Sequence, residues 1–313
     1  MLNTTMEKVA PINEAVACSL QALIALTRCS QGINLLNHRR VTNQMGGSYL
    51  SAFRGRGMDF AEVRNYQPGD DIRLMDWRVT ARTGIAHTKV FEEERERPIF
   101  LLLDFNPSMY FATQGCFKSV IAARSAALLA WAAINQGDRV GAIVCAGEQH
   151  HELRPRARKH GVLPLLKCLA ETTQHPPTTS HTDFFSIALQ RMRRVSRPGS
   201  LIFIISDFYN LTPNAEKHLA LLAKDNELIA INIIDPIEKT VLPPATYPIS
   251  DGEHSALLNT EEKKIRNQYQ AYFAEHFQSL EKLFFKLQIP KLELLTSDAV
   301  DLKLSFYFSE IRS

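Results

Sequence analysis

No apolar run in this chain approaches the roughly 18 uninterrupted residues that a membrane-spanning helix needs, so no span is expected. Cysteine is sparse: Cys18, Cys29, Cys116, Cys145 and Cys168 are widely scattered. No pair has metal-ligand spacing, and the odd count fits a reduced interior rather than a disulfide framework. Charge of one sign is lacking too. A net charge of +3 is too small to argue for attraction to nucleic acid or to a membrane surface. The N-terminus lacks the basic segment, apolar core and cleavage site of a signal peptide, so the expected location is cytoplasmic. There is no nucleophile with an adjacent base and no phosphate-cradling Gly-rich loop. Gly55-x-Gly57 stands outside the strand–turn–helix context that a dinucleotide fingerprint requires. What remains is the composition of a soluble globular protein, 45% hydrophobic and 22% charged over 313 residues.

The pattern along the chain predicts three regions: a leading helical segment (1–45), an Arg/Gly-rich β module (46–97) and an α/β domain (98–313). Apolar residues at near-helical spacing from Val16 to Leu26 predict an opening helix over roughly Asn13 to Leu36. After Pro98 strands and helices alternate. Strands are expected at Ile99–Asp104, Arg139–Ala146, Ser200–Ser206, Glu227–Ile234 and Lys291–Thr296. Helices are expected at Phe117–Asn135, Val162–Thr172, Phe184–Arg194 and Thr212–Lys224. Such alternation of apolar runs implies a mostly parallel, doubly wound, Rossmann-like sheet covered on both faces. Two insertions follow the fourth strand. The first is a hairpin over Tyr247–Asn259 with an Asp251-Gly252 turn signal. The second is a long helix over Thr260–Leu287 with an aromatic stripe, expected to pack internally. The tail Ala299–Phe308 fits helix or strand.

Leu101-Leu102-Leu103-Asp104-Phe105-Asn106-Pro107-Ser108 is the most informative stretch. A buried strand ending in Asp104 places Asn106 and Ser108 on the turn beyond its carboxyl end, the edge at which open α/β sheets bind ligands. Ser206-Asp207 ends another strand, and Thr182-Asp183 precedes a helix. Asp104, Asn106, Ser108, Thr182 and Asp207 together form a set of two carboxylates and neutral oxygens that suits Mg²⁺, with Mn²⁺ second, and lacks the soft ligands of zinc. Each residue alone is an ordinary turn or cap residue; their convergence on one edge is the signal.

This arrangement resembles the von Willebrand factor A-type domain, whose metal-ion-dependent adhesion site uses Asp-x-Ser-x-Ser, a distant Thr and a distant Asp. Asp104 and Ser108 match the first element, Thr182 the second and Asp207 the third. Asn106 stands where the family has Ser; its amide oxygen can ligate a cation, but it is longer than a hydroxyl and cannot ionise.

The stretch before the first strand has its own character. Gly55-Arg56-Gly57-Met58-Asp59-Phe60 leads into Val63-Arg64-Asn65-Tyr66-Gln67-Pro68-Gly69-Asp70-Asp71-Ile72-Arg73, Asp76-Trp77-Arg78 and Ala81-Arg82-Thr83-Gly84. Between Arg54 and Arg97, eight Arg and one Lys face nine acidic residues, a balance that favours paired guanidinium–carboxylate forks over a basic binding surface. The reading is a small β-rich platform tied to the α/β body by ion pairs, with Trp77 anchoring a turn. Arg64, Arg73, Arg78 and Arg82 are the alternative: a docking surface for an acidic partner. These motifs, with Phe91 to Arg95 and Asp235-Pro236-Ile237-Glu238, closely resemble the bacterial domain-of-unknown-function 58 family from about Gly46 onward. The resemblance implies a companion of MoxR-type AAA+ ATPases, chaperone-like remodelling machines.

Together these features predict a protein-binding module rather than an enzyme. A cation held at the strand edge offers an open position to a partner's acidic side chain, the partner being a MoxR-type ATPase or its substrate. Two other classes stand beside it: a metal-dependent phosphoryl-transfer or hydrolytic enzyme, and a structural subunit whose metal site has decayed.

Overall fold

A computed structural model describes residues 13–35, 58–67, 70–93, 97–147, 149–177, 183–240, 243–250 and 255–310. The chain divides into two compact units, 44–96 and 1–43 together with 97–313.

In the smaller unit, β1 (Met58–Asn65) pairs antiparallel with β2 (His87–Glu93), with an irregularity between Phe60 and Glu62. The connection contains a helix that the β-rich reading did not anticipate, Trp77–Thr83. Its signals are local. Asp76 caps the N-terminus by accepting the Arg78 and Val79 N–H groups, and Gly84 ends the helix in the left-handed region at φ 73°, which a residue without Cβ adopts freely. Trp77 opens this helix and is 64% exposed, so it does not anchor the turn. Arg64 pairs with Asp70 at 2.7 Å, while Arg73, Arg78 and Arg82 are exposed.

The larger unit is built on a six-stranded sheet. Its strands are β3 (Pro98–Asp104), β4 (Arg139–Ala146), β5 (Gln149–Ala157), β6 (Leu201–Ser206), β7 (Glu227–Ile234) and β10 (Lys291–Leu295), in the order β10-β7-β6-β3-β4-β5. All neighbours are parallel except β4 and β5. β8 (Thr246–Ser250) and β9 (Ser255–Asn259) form a separate hairpin; its Asp251-Gly252 turn lies outside the described residues. The longer helices are α1 (Lys118–Asn135), α2 (Lys159–Gln174), α3 (Phe184–Val195), α4 (Pro213–Asp225), α5 (Lys263–Leu287) and α6 (Val300–Glu310).

Because side chains alternate along a strand, the apolar run of β3 feeds two cores. Ile99, Leu101 and Leu103 face one with α1, α2 and α6; Phe100 and Leu102 face the other with α3, α4 and the end of α5. α1 is buried almost throughout, because the leading segment and α6 cover the side that the sheet does not. Trp131 donates its indole N–H to the Leu23 carbonyl at 3.1 Å. The strand order reverses between β3 and β6, which makes their carboxyl ends the topological switch point of the sheet.

The expected opening helix shrinks to Leu20–Ala25, followed by a 3₁₀ turn at Cys29–Gly32. Ser19 starts it by accepting the Ala22 N–H, and the Ser30 hydroxyl bonds the Thr27 carbonyl at 2.8 Å, a local bond that competes with helix continuation. Strand β5 was not foreseen. It is an edge strand whose side chains are exposed or half-buried, so the run around Arg154 to Arg156 lacks the apolar alternation that would reveal it. The tail is a helix. On α5 only Leu280 and Phe284 are fully buried; Tyr269, Phe273 and Phe277 are half-buried, Phe273 meeting the Tyr209 ring at 6.1 Å, while Tyr272 is 61% exposed.

Candidate functional site

Parallel register brings Leu103 abreast of Ile205, which sets Ser206 beside Asp104 at the carboxyl edge. The Ser206 hydroxyl donates to Asp104 Oδ2 at 2.8 Å and itself accepts the Phe208 N–H at 2.8 Å. Asp104 Oδ1 accepts the Asn106 backbone N–H at 3.1 Å and also the Asn106 side-chain amide. Asp104 is 1% exposed. Burial, and then the neighbouring Asp207 carboxylate, push its pKa up to about 7, against the hydrogen bonds from Ser206 and the Asn106 N–H. Phe208 sits at φ 58°, a left-handed conformation that costs a bulky residue roughly 1–3 kcal/mol. Packing against Phe185 and Phe284, at ring distances of 6.1 and 5.1 Å, holds it there and turns the chain sharply after Asp207.

Two oxygens on the turn that follows β3 lack a hydrogen-bond partner among the described residues although they are buried: Asn106 Oδ1 and Ser108 Oγ. An unpaired buried polar atom costs about 1–3 kcal/mol, so such atoms call for an ordered water or an ion. They are hard neutral donors and they flank a buried carboxylate, the chemistry that an oxygen-loving divalent cation requires. No group of three or more His, Cys, Asp or Glu side chains with metal-binding geometry occurs among the described residues, so an ion here would depend on these neutral oxygens.

Asp207 is differently engaged. It is 2% exposed, its Oδ1 accepts the Tyr209 N–H at 3.3 Å, and its Oδ2 lies 3.5 Å from Lys118 Nζ. Lys118 is 1% exposed and also bonds Glu238 Oε1 at 2.5 Å. Burial works against its charge, but Asp207 and Glu238 outweigh burial and raise its pKa above the ordinary lysine value. The ammonium lies 5.2 Å from the centre of the Tyr209 ring, which stacks on His276 at 4.2 Å. Glu238 is fixed by a reciprocal cap with Asp235, whose carboxylate also accepts the Thr113 N–H at 2.7 Å and the Thr296 hydroxyl at 2.9 Å. Asn232 lies one strand further along the same sheet face as Asp104 and Ser206, fully buried, with neither amide atom paired among the described residues.

Of the five residues expected to hold a cation, the fold brings Asp104, Asn106, Ser108 and Asp207 to one edge. Thr182 lies outside the described residues, and Asp183 precedes α3 without making a side-chain cap. Sequence reasoning missed Lys118, Glu238, Tyr209 and Asn232. One signal was legible: a lysine opening a long apolar helix, where the positive end of the helix dipole disfavours a cation.

Residues 62–279, more than half of the chain, match the model of the family described as "Protein of unknown function DUF58", and the chain belongs to that family. It is similar to "Uncharacterized protein Rv1480" of Mycobacterium tuberculosis, 31% identical over 205 residues, which is 65% of this chain and 63% of that protein. The chain thus spans just under two thirds of that relative's length. A 44-residue stretch is 50% identical to "Uncharacterized protein YeaD" of Bacillus subtilis, covering 14% of this chain and 11% of that one. Among solved structures, BatB from Bacteroides thetaiotaomicron is similar at 16% identity and a TM-score of 0.42, over 69% of this chain and 98% of that chain. A von Willebrand factor type A protein from Catenulispora acidiphila is similar at 11% identity and a TM-score of 0.35, over 72% and 43% of the respective chains. The α/β assignment itself rests on the strand order. Among the described residues no helix is long and apolar enough to cross a membrane.

Proposed function

We propose that this family member is a non-enzymatic protein-docking module that uses a divalent cation at the β3–β6 edge. Asp104, Asn106 and Ser108 would hold Mg²⁺ or Mn²⁺, with Thr182 and Asp207 completing the set, and the ion would offer an open position to an acidic side chain of a protein partner. The observation that carries the reading is the pair of orphaned oxygens, Asn106 Oδ1 and Ser108 Oγ, buried beside a buried carboxylate. Neither oxygen has a partner among the described residues. A cation supplies what they lack, and Mg²⁺ takes one or two carboxylates while retaining exchangeable waters. The family resemblance points to a MoxR-type AAA+ ATPase, or a substrate delivered to it, as the partner.

The test is capture of a purified MoxR-type ATPase from the same organism by the full chain, with Mg²⁺ and with chelator, for the native sequence and for Asp104→Ala. The expected result is binding that disappears on chelation and in the variant. Binding that survives both treatments would overturn the cation-dependent reading. Metal-dependent phosphatase or nuclease turnover lost in Asp104→Ala would favour an enzyme instead.

A further inference from the structure

We infer that the Lys118 ammonium is a resident counter-cation of this edge, competing with the divalent ion for Asp207 and able to release that carboxylate by resting on Glu238. The inference builds on the cation-site reading above and adds a built-in competitor that sets its affinity.

Three observations carry it. First, Lys118 is placed against local preference: it is the first residue of an 18-residue helix, 1% exposed, at the helix end that repels cations. Violations of this kind concentrate at functional sites. Second, its two carboxylates come from different strand ends, Asp207 after β6 and Glu238 after β7, so the ammonium joins the carboxyl ends of two neighbouring strands, one of them at the switch point, rather than neutralising a neighbour on its own helix. Third, the two contacts are unequal. Glu238 Oε1 is at 2.5 Å and Asp207 Oδ2 at 3.5 Å, the second long for a charge-assisted hydrogen bond. The ammonium therefore keeps a close counter-ion if Asp207 turns toward another cation.

The electrostatic consequence has a sign. Asp104 and Asp207 together offer two negative charges to an ion, and Lys118 cancels part of that attraction within a buried, weakly screened site. Removing the ammonium should tighten the ion. Removing the negative charge of Glu238 should press the ammonium onto Asp207 and loosen the ion. The two substitutions delete opposite charges of one pair, so general damage to the site cannot produce both effects.

The experiment is titration of the full chain with Mn²⁺ alone, followed by electron paramagnetic resonance, for the native sequence, Lys118→Met and Glu238→Gln. Methionine keeps the stem without the charge, and glutamine can still accept the Asp235 N–H that Glu238 Oε2 now accepts. Affinity is expected to rise about tenfold in Lys118→Met and to fall severalfold in Glu238→Gln. Native binding that neither variant moves, or that both move in the same direction, overturns this inference and leaves the cation site standing. Absence of Mn²⁺ binding in all three chains overturns the cation site and the inference with it. Should Lys118→Met fail to fold, the fall expected in Glu238→Gln decides alone, and unchanged or tighter binding there refutes it.

Discussion

The amino and carboxyl ends of the same central sheet are both rich in polar side chains, yet they treat them differently. At the amino end, Arg97 donates its backbone N–H to Asp138 at 2.9 Å, its Nε to the Gly199 carbonyl at 3.0 Å and its Nη2 to Glu227 at 2.5 Å. Ser200 bonds the Arg197 carbonyl at 2.6 Å, and Asn226 caps the Ser200 N–H at 3.3 Å. The polar groups there close on one another. At the carboxyl end, Asn106, Ser108, Tyr209 and Asn232 each leave a buried polar atom unpaired among the described residues, and a lysine is enclosed with two carboxylates. Both ends terminate the same strands under the same packing constraints, so the imbalance is not a generic property of sheet edges. A closed network contributes to stability; an open one costs stability and keeps its capacity for a ligand.

That contrast can be broken at either end. The largest effect on stability should come from Arg97→Ala, which removes a charge-assisted network. Urea unfolding should show a loss of about 2 kcal/mol, while Mn²⁺ affinity stays unchanged, because the seven-residue strand β3 sets the two ends roughly 20 Å apart. A weakened Mn²⁺ site in this variant would erase the functional division between the ends. Next comes Asn232→Leu, a near-isosteric change that deletes two unpaired buried polar atoms. A gain of about 1 kcal/mol is expected, and destabilisation in the same unfolding assay would mean that the amide belongs to a satisfied network and that the carboxyl end is less open than described. The smallest effect on stability belongs to Ser108→Ala. Its hydroxyl has no partner to lose among the described residues, so stability should stay within about 0.5 kcal/mol of the native chain, whereas Mn²⁺ affinity should fall by about tenfold or more, at least the worth of a supporting group at a metal site. Equal Mn²⁺ binding with and without this hydroxyl would remove Ser108 from the ligand set.

The legibility of these features divides along physical lines. β3, β6 and β7 were readable because a strand covered on both faces must be apolar at nearly every position, and their runs are. β5 was not, because an edge strand keeps no such run: Leu153 stands among charged and polar residues. The opening helix was overestimated because apolar spacing shows a helical face without fixing where the helix starts or stops; the Ser19 cap sets its start, and the Ser30–Thr27 bond lies in the turn that follows it. Trp77 misled for a related reason. Its size favours burial, but its position as the first residue of a short capped helix leaves it largely exposed.

The sequence by itself determined the order of the parallel strands and the helices between them, the ending of β3 in Asp104 and of β6 in Ser206-Asp207, and hence which oxygens reach the switch point. These follow from local rules: apolar run length, caps, turn residues and the two-residue period of a strand. Only the tertiary structure decided which of those oxygens are satisfied and which are orphaned. It also decided that Lys118 meets Glu238, 120 positions away in the chain, and Asp207. Pairing across such separations depends on how helices pack on the two faces of the sheet, and no periodicity in the sequence records where a buried ammonium finds its carboxylates.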